Sequence, residues 1–179
     1  MRLVVLFGDS MLARFTKTRI DRLEEGAGAD VLVLNCAAGG WTSRDGVRRM
    51  REVARLAPDV VVLSFGMNDC SPERLVGLDV FAEDLRCLVG AFPLASVVGF
   101  LPPSVAEEEG LGPRGRTNAS LARYRDVLRD SVPSGRVVET DAVLAPLVAS
   151  GVPVHVDGLH LTDEAYGLAI EALAELVKT

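Results

Sequence analysis

Short apolar segments alternate with stretches of helical periodicity along the whole chain. The apolar segments are rich in valine and leucine and show no polar alternation. They cover residues 3–7, 31–35, 60–65, 97–101 and, more weakly, 137–138. Such runs are typical of parallel strands covered on both faces. We therefore predict a parallel sheet of about five strands.

The segments between these strands have the spacing of amphipathic helices. After Thr42, apolar residues recur at every third or fourth position until Pro58, before which the helix must end. Asp45 stands three residues after Thr42, as in a capping box. Two further helices are predicted to follow Thr117 and to begin at Thr162. This alternation of strands and helices predicts a three-layer α/β/α sandwich.

Length and composition favour one globular domain. The chain has 179 residues, of which 49% are hydrophobic, enough for a full core. No repeat or linker divides it, so we expect a single domain over residues 1–179. The net charge of −6 disfavours binding to nucleic acid or to an anionic membrane surface.

The cysteines and histidines argue against a disulfide framework and against a metal site. Cys36, Cys70 and Cys87 are odd in number and form no C-x-x-C spacing, which favours a reducing compartment. The two histidines have no metal-ligand spacing, so we expect neither a metal nor another cofactor. No signal segment and no membrane-spanning stretch is apparent, and we expect a cytoplasmic protein.

Polar residues with catalytic chemistry follow the predicted strands. Ser10 comes just after the first strand, Gly40 after the second and Asn68 after the third, while Asp157 and His160 precede the last helix. The carboxyl ends of parallel strands meet at one edge, where ligands bind in open α/β sheets. We therefore expect these side chains to surround one crevice.

This set of groups is what cleavage of an acyl ester requires. A serine hydroxyl becomes an effective nucleophile when histidine takes its proton and a carboxylate orients the imidazole. The amides of Ser10 and Gly40 and the carboxamide of Asn68 would stabilise the oxyanion that forms. Taken singly, the same residues are typical of a helix N-cap, a tight glycine turn and an Asx turn.

The four segments resemble, in order, the sequence blocks of the SGNH hydrolases, also called GDSL-type esterases and lipases. The matching residues are Ser10, Gly40, Asn68 and His160, with Asp157 in the Asp-x-x-His block. The resemblance implies a flavodoxin-like sandwich and a Ser-His-Asp triad. It also favours Gly40 over Gly39 as the oxyanion glycine. The expected substrate is a small-molecule acyl ester.

Two residues near these blocks have a less certain role. Trp41 follows the oxyanion glycine, where many relatives carry a small or polar residue, and either walls the substrate pocket or plugs the top of the following helix. Met67 precedes Asn68 and either borders the pocket or packs in the core. The first block also reads Gly-Asp-Ser-Met instead of Gly-Asp-Ser-Leu, a mild change in packing.

Three alternatives to a simple esterase deserve comparison. An acyltransferase would use the same acyl-serine, and the irregular segment 102–116 could cover it and select an acceptor. A flavodoxin-like binding domain would need a glycine-rich phosphate loop, which the segment after the first strand does not supply. An ordinary α/β-hydrolase would need Gly-x-Ser-x-Gly, but Leu12 occupies the last position. The sequence leaves the substrate and the oligomeric state open.

Overall fold

The computed structural model describes residues 1–178, and its centre is a five-stranded parallel sheet. The strand order β2-β1-β3-β4-β5 is the doubly wound order of flavodoxin-like proteins. Every predicted strand is confirmed to within one residue at each end. The strands are Arg2–Gly8 (β1), Val31–Asn35 (β2), Val60–Ser64 (β3), Ser96–Phe100 (β4) and Val137–Val138 (β5).

Seven α-helices among residues 1–178 connect and follow the strands. They are Ser10–Ala13 (α1), Lys17–Ala27 (α2), Ser43–Ala54 (α3), Leu78–Gly90 (α4), Asn118–Ser131 (α5), Thr140–Ala149 (α6) and Asp163–Val177 (α7). Helices α2 and α6 pack against α7, and α3 and α5 pack against α4, which gives the outer layers of the sandwich. Within the described part of the chain, no helix has the length and apolar character needed to cross a bilayer.

The three predicted helix starts are confirmed by their hydrogen bonds. The Thr42 amide donates to Asp45 Oδ2 at 3.0 Å, which is half of the capping box. The side chains of Thr117 and Thr162 each accept a hydrogen bond from the backbone amide three residues later, at 3.0 and 3.3 Å. Each cap satisfies a backbone donor that the first helical turn leaves without a partner.

Strand β2 departs from the prediction that all strands are covered on both faces. Val31 and Val33 are buried, but Leu32 and Leu34 are 36% and 38% exposed. The reason is the position of β2 at the edge of the sheet. Continuous hydrophobicity predicted the strand correctly but could not distinguish an edge position from a central one.

Strands β1 and β3 run side by side and bring the first and third sequence blocks together. A Cβ atom on Gly8 would lie 2.3 Å from the Ser64 carbonyl oxygen, so only glycine permits this approach. The next amide, that of Asp9, donates to Ser64 O at 3.0 Å. The chain is thereby fixed on both sides of the crevice just before the residues with catalytic chemistry.

Candidate active site

The structure brings the five predicted site residues to one cleft of about 630 Å³. Ser10 is the first residue of α1, directly after β1, and His160 lies in the loop that precedes α7. His160 Nε2 is 3.0 Å from Ser10 Oγ, and His160 Nδ1 is 2.7 Å from Asp157 Oδ2. Gly40 and Asn68 line the same cleft. This geometry permits proton transfer from the Ser10 hydroxyl to the imidazole.

The cap of α1 is Asp9 and not Ser10. Asp9 Oδ1 accepts a hydrogen bond from the Met11 amide at 2.9 Å. The hydroxyl of Ser10 is therefore not used for capping and is available to His160. Burial raises the pKa of Asp9 to about 7, against the opposing effect of the Met11 amide.

Asp157 is held by the same short loop that carries His160. Its Oδ1 accepts hydrogen bonds from the backbone amides of Leu159 and His160, at 3.1 and 2.7 Å. Burial raises the pKa of Asp157, but these amides and the His160 ring outweigh it and lower the value to about 2. The carboxylate is thus ionised at neutral pH and can stabilise an imidazolium beside it.

Two backbone amides at the cleft have no protein acceptor. Among residues 1–178, neither the Ser10 nor the Gly40 amide donates a hydrogen bond to another group of the protein. Gly40 has a φ of +79°, a conformation that favours glycine. Its carbonyl accepts a hydrogen bond from Arg74 Nη1 at 2.6 Å. Both amides are therefore available to donate to a group bound in the cleft.

Arg116 fixes the side chain of Asn68. Its Nη2 donates to Asn68 Oδ1 at 3.1 Å and its Nε donates to Met67 O at 2.7 Å. Asn68 Nδ2 in turn donates to Trp41 O at 2.9 Å. Because a guanidinium can only donate, it determines which end of the amide is the oxygen. One Nδ2 hydrogen then remains for a group in the cleft.

Asp69 ties the second sequence block to the third. Its side chain is fully buried and accepts hydrogen bonds from the Ser43 amide at 2.8 Å and from the Gly66 amide at 2.9 Å. Burial raises the pKa of this carboxyl. The contact holds the start of α3, next to the Gly40 turn, against the segment that follows β3. Asp69 was not among the predicted site residues, although its place directly after Asn68 was a usable signal.

Trp41 and Met67 do not line the cleft. Met67 has no exposed surface and belongs to the core. The Trp41 ring packs edge-to-face against Phe7 with centroids 6.2 Å apart. Both side chains therefore pack in or against the core, and neither belongs to the cleft lining, where the substrate pocket is expected.

The second histidine lies away from the cleft lining. His155 is half-buried, and its backbone forms an isolated bridge with Leu161. Burial lowers its pKa. His160 is thus the histidine within reach of Ser10. In the described chain, no group of three or more His, Cys, Asp or Glu side chains is arranged to hold a metal ion.

The segment 102–116 is packed against the rest of the protein beside the cleft. It contains a short 3₁₀ turn, Pro113–Gly115, and ends at Arg116, which is only 1% exposed. Pro113, Arg114 and Arg116 line the cleft, whereas Leu111 is 58% exposed and does not. The segment forms one wall of the cleft, and the clamp on Asn68 anchors its end.

Comparison with known proteins identifies a matching family and several similar structures. A sequence model of the GDSL-like lipase/acylhydrolase family matches residues 6–168. A lipase/acylhydrolase from Enterococcus faecalis is 25% identical, with a TM-score of 0.86 over 99% of this chain and 96% of its own. An acetylxylan esterase from Geobacillus stearothermophilus is 19% identical (TM-score 0.80, covering 99% and 94%), and a carbohydrate acetylesterase from Sinorhizobium meliloti is 19% identical (0.73, 98% and 97%). The last two show likeness of fold alone. No curated protein sequence matches the chain.

Proposed function

The chain belongs to the GDSL-like lipase/acylhydrolase family and is a carboxylic ester hydrolase, and we propose that it cleaves its substrate through an acyl-enzyme formed on Ser10. The observation that carries the proposal is the chain of contacts from Ser10 Oγ to His160 Nε2 and from His160 Nδ1 to Asp157. A serine, a histidine and a carboxylate in this order form the machinery of acyl transfer.

In the first half-reaction Ser10 Oγ attacks the ester carbonyl carbon while its proton passes to His160 Nε2. The carbonyl oxygen becomes an oxyanion that accepts hydrogen bonds from the Ser10 and Gly40 amides and from Asn68 Nδ2. Each such donor contributes about 3–4 kcal/mol of transition-state stabilisation. The tetrahedral intermediate then breaks its bond to the alcohol oxygen, which takes the proton from His160 and leaves.

In the second half-reaction water replaces the alcohol. His160 takes a proton from the water as its oxygen attacks the acyl carbon, and the same donors bind the second oxyanion. Collapse breaks the bond to Ser10 Oγ, which recovers its proton from His160, and the free acid leaves. Asp157 stabilises the imidazolium in both halves.

The lining of the cleft supports a short acyl group. Apart from glycines, its apolar residues are limited to Ala13, Pro113 and Leu159 within the described chain. A long acyl chain would need an extended apolar surface to leave water favourably. We therefore propose an acetyl or similarly small group.

Transfer to an acceptor other than water is the second candidate. It is disfavoured because the segment 102–116 places two arginines and a proline on the cleft, whereas its apolar side chains Val105 and Leu111 lie elsewhere. Such a wall excludes water poorly. The test is to supply alcohols, sugars or amines during turnover and to quantify both products. Free acid should dominate, and an acceptor ester that forms faster than the acid at millimolar acceptor would establish the transferase.

The test of the main proposal is hydrolysis of p-nitrophenyl esters of increasing chain length, with acetylated sugars alongside. We expect the highest kcat/KM with acetate and no measurable turnover by Ser10→Ala. Ser134→Ala, which changes an exposed serine outside the cleft, is the matched control. A fluorophosphonate probe should modify Ser10 alone. Modification of another serine, or retained turnover in Ser10→Ala, would contradict the proposed nucleophile.

A further inference from the structure

The rim of the cleft carries two arginines without an acidic partner. Arg14 and Arg114 are both exposed and both line the cleft, and neither side chain forms a hydrogen bond or an ion pair within residues 1–178. Six other arginines in the described chain form ion pairs with carboxylates: Arg19, Arg44, Arg48, Arg49, Arg125 and Arg129. Other arginines of the described chain, Arg55 among them, also lack an ion pair, so what sets Arg14 and Arg114 apart is their position on the rim of the cleft.

The backbone at Arg114 is held in an unfavourable conformation. Arg114 has a φ of +57° and a ψ of +39°, in the left-handed region, which is unfavourable for a residue other than glycine. The turn is closed by the Gly112 amide, which donates to Arg116 O at 2.8 Å. Because glycine would adopt this conformation without strain, an arginine here points to a use for its side chain.

The turn that carries Arg114 packs beside His160. A Cβ atom on Gly158 would meet Pro113 Cγ at 3.1 Å, so the turn packs on the loop that carries Asp157 and His160. His160 delivers the proton to the departing alcohol, so that side of the cleft faces the alcohol part of the ester. Arg14 lies one helical turn after Ser10, and its amide donates to Ser10 O at 3.2 Å.

We propose that Arg14 and Arg114 form an anion subsite for the alcohol part of the substrate, which carries a carboxylate or a phosphate. This assignment rests on the proposed function. Asp157 is the one carboxylate in the lining within the described chain, and His160 engages it. Since the whole protein has a net charge of −6, its general field repels anions, and a local pair of arginines supplies the attraction that an anionic ester needs.

The experiment compares acetyl esters whose alcohols differ in charge. Acetylglycerol phosphate is paired with acetylglycerol, and O-acetyl lactate with O-acetyl lactamide, so the two pairs distinguish phosphate from carboxylate. Monomethyl succinate, paired with dimethyl succinate, places the charge on the acyl side. We expect kcat/KM to favour at least one anionic alcohol by about tenfold, the effect of one charge-assisted hydrogen bond, with no such preference in the succinate pair. The preference should decrease with added sodium chloride.

Variants connect the preference to the two side chains. Arg14→Gln and Arg114→Gln should each lower the anionic-to-neutral ratio of kcat/KM, and the double variant should bring it to about one. Arg55→Gln removes the same charge after α3, outside the cleft lining, and is the matched control. The ratio cancels any general loss of activity or folding. Equal rates within both alcohol pairs, or an unchanged ratio in the double variant, would overturn the subsite.

Binding to the inactive Ser10→Ala variant separates the subsite from the reaction. Calorimetry should detect glycerol phosphate or lactate at concentrations where glycerol and lactamide do not bind, and Arg114→Gln should weaken the anion by about tenfold. If neutral esters are cleaved in a Ser10-dependent manner but no anion is preferred or bound, the esterase proposal stands and the subsite is wrong. If anions bind through the two arginines but no ester is cleaved, the anion site exists, but the proposed function and the assignment of the site to an ester alcohol are both wrong.

Discussion

The clamp of Arg116 on Asn68 gives a prediction whose magnitude follows from the structure. Arg116→Met removes the donors to Met67 O, to Asn68 Oδ1 and to Pro113 O, at 2.7, 3.1 and 3.0 Å, and leaves an apolar chain of similar length. A buried acceptor without a donor costs about 1–3 kcal/mol. Because Met67 O and Asn68 Oδ1 would both lose their Arg116 donor, we expect the free energy of unfolding to fall by about 2–6 kcal/mol.

The expected effect on catalysis is separate from the effect on stability. Without Arg116, the carboxamide of Asn68 can rotate and present its oxygen to the oxyanion. Loss of one oxyanion donor lowers kcat by about 10²–10³-fold. Since a rotating amide still donates part of the time, we expect Arg116→Met to lower kcat by roughly tenfold to a hundredfold, with a smaller change in KM.

The assay is a double-mutant cycle with Asn68→Ala. Hydrolysis of p-nitrophenyl acetate is measured in both single variants and in the double variant, at a temperature where circular dichroism shows each to be folded. If Arg116 acts by orienting Asn68, its replacement should cost less than about threefold in the Asn68→Ala background. Arg116→Lys keeps the charge but not the planar fork, and should recover little of the rate.

Two results would refute this reasoning. Equal losses from Arg116→Met in both backgrounds would show that Arg116 acts independently of Asn68. Full activity in Arg116→Lys would show that the positive charge, and not the orientation of the amide, is what the reaction needs.

Three further predictions concern the nucleophile, the base and the buried carboxyl beside them. Ser10→Ala should leave the free energy of unfolding, measured by urea denaturation, within about 0.5 kcal/mol of wild type, because Asp9 caps α1. His160→Ala should lower kcat by at least about a thousandfold and His155→Ala by less than about tenfold; the opposite ranking would assign the base to His155. The melting temperature should fall as pH rises from 3.8 to about 7, because the native state retains the Asp9 proton that the unfolded chain has released. Asp9→Asn, which keeps the capping oxygen, should flatten that slope, and an unchanged slope would contradict a protonated Asp9.

The fold was predictable because its signals are local. Strands β1, β3 and β4 are continuous runs of apolar residues, and three helices begin at threonines that cap them. Helices α2, α4 and α6 were not predicted individually. Only Leu23 and Ala27 are buried in α2, so its apolar stripe is narrow, and α6 contains Pro146, which normally argues against a helix.

The predicted triad and oxyanion residues do lie together, but their catalytic roles stay predictions until the variants are measured. The position of these residues directly after predicted strands, or before the last helix, was enough to predict that they meet, because the carboxyl ends of parallel strands share one edge of the sheet. The hydrogen bond from Arg116 to Asn68 could not be predicted from the sequence. It joins residues 48 positions apart, and it depends on the conformation of the irregular segment that ends at Arg116. The sequence also could not show that Asp9, and not Ser10, caps α1, because Asp and Ser are about equally favourable N-cap residues.

The contact between Ser10 and His160 joins residues 150 positions apart, and this separation has a consequence for how the protein matures. The ring of Tyr166 closes the same long loop, since its hydroxyl donates to Met11 O at 2.8 Å. During synthesis Ser10 leaves the ribosome early, while His160 arrives only with the segment before α7. Folding intermediates that lack α7 therefore have Ser10 without its histidine partner and leave uncovered the surfaces of α2, β4 and β5 on which α7 packs. Contacts between residues far apart in sequence form late, because closing the long loop between them costs conformational entropy. Recovery of activity after dilution from denaturant should therefore follow the slowest folding phase.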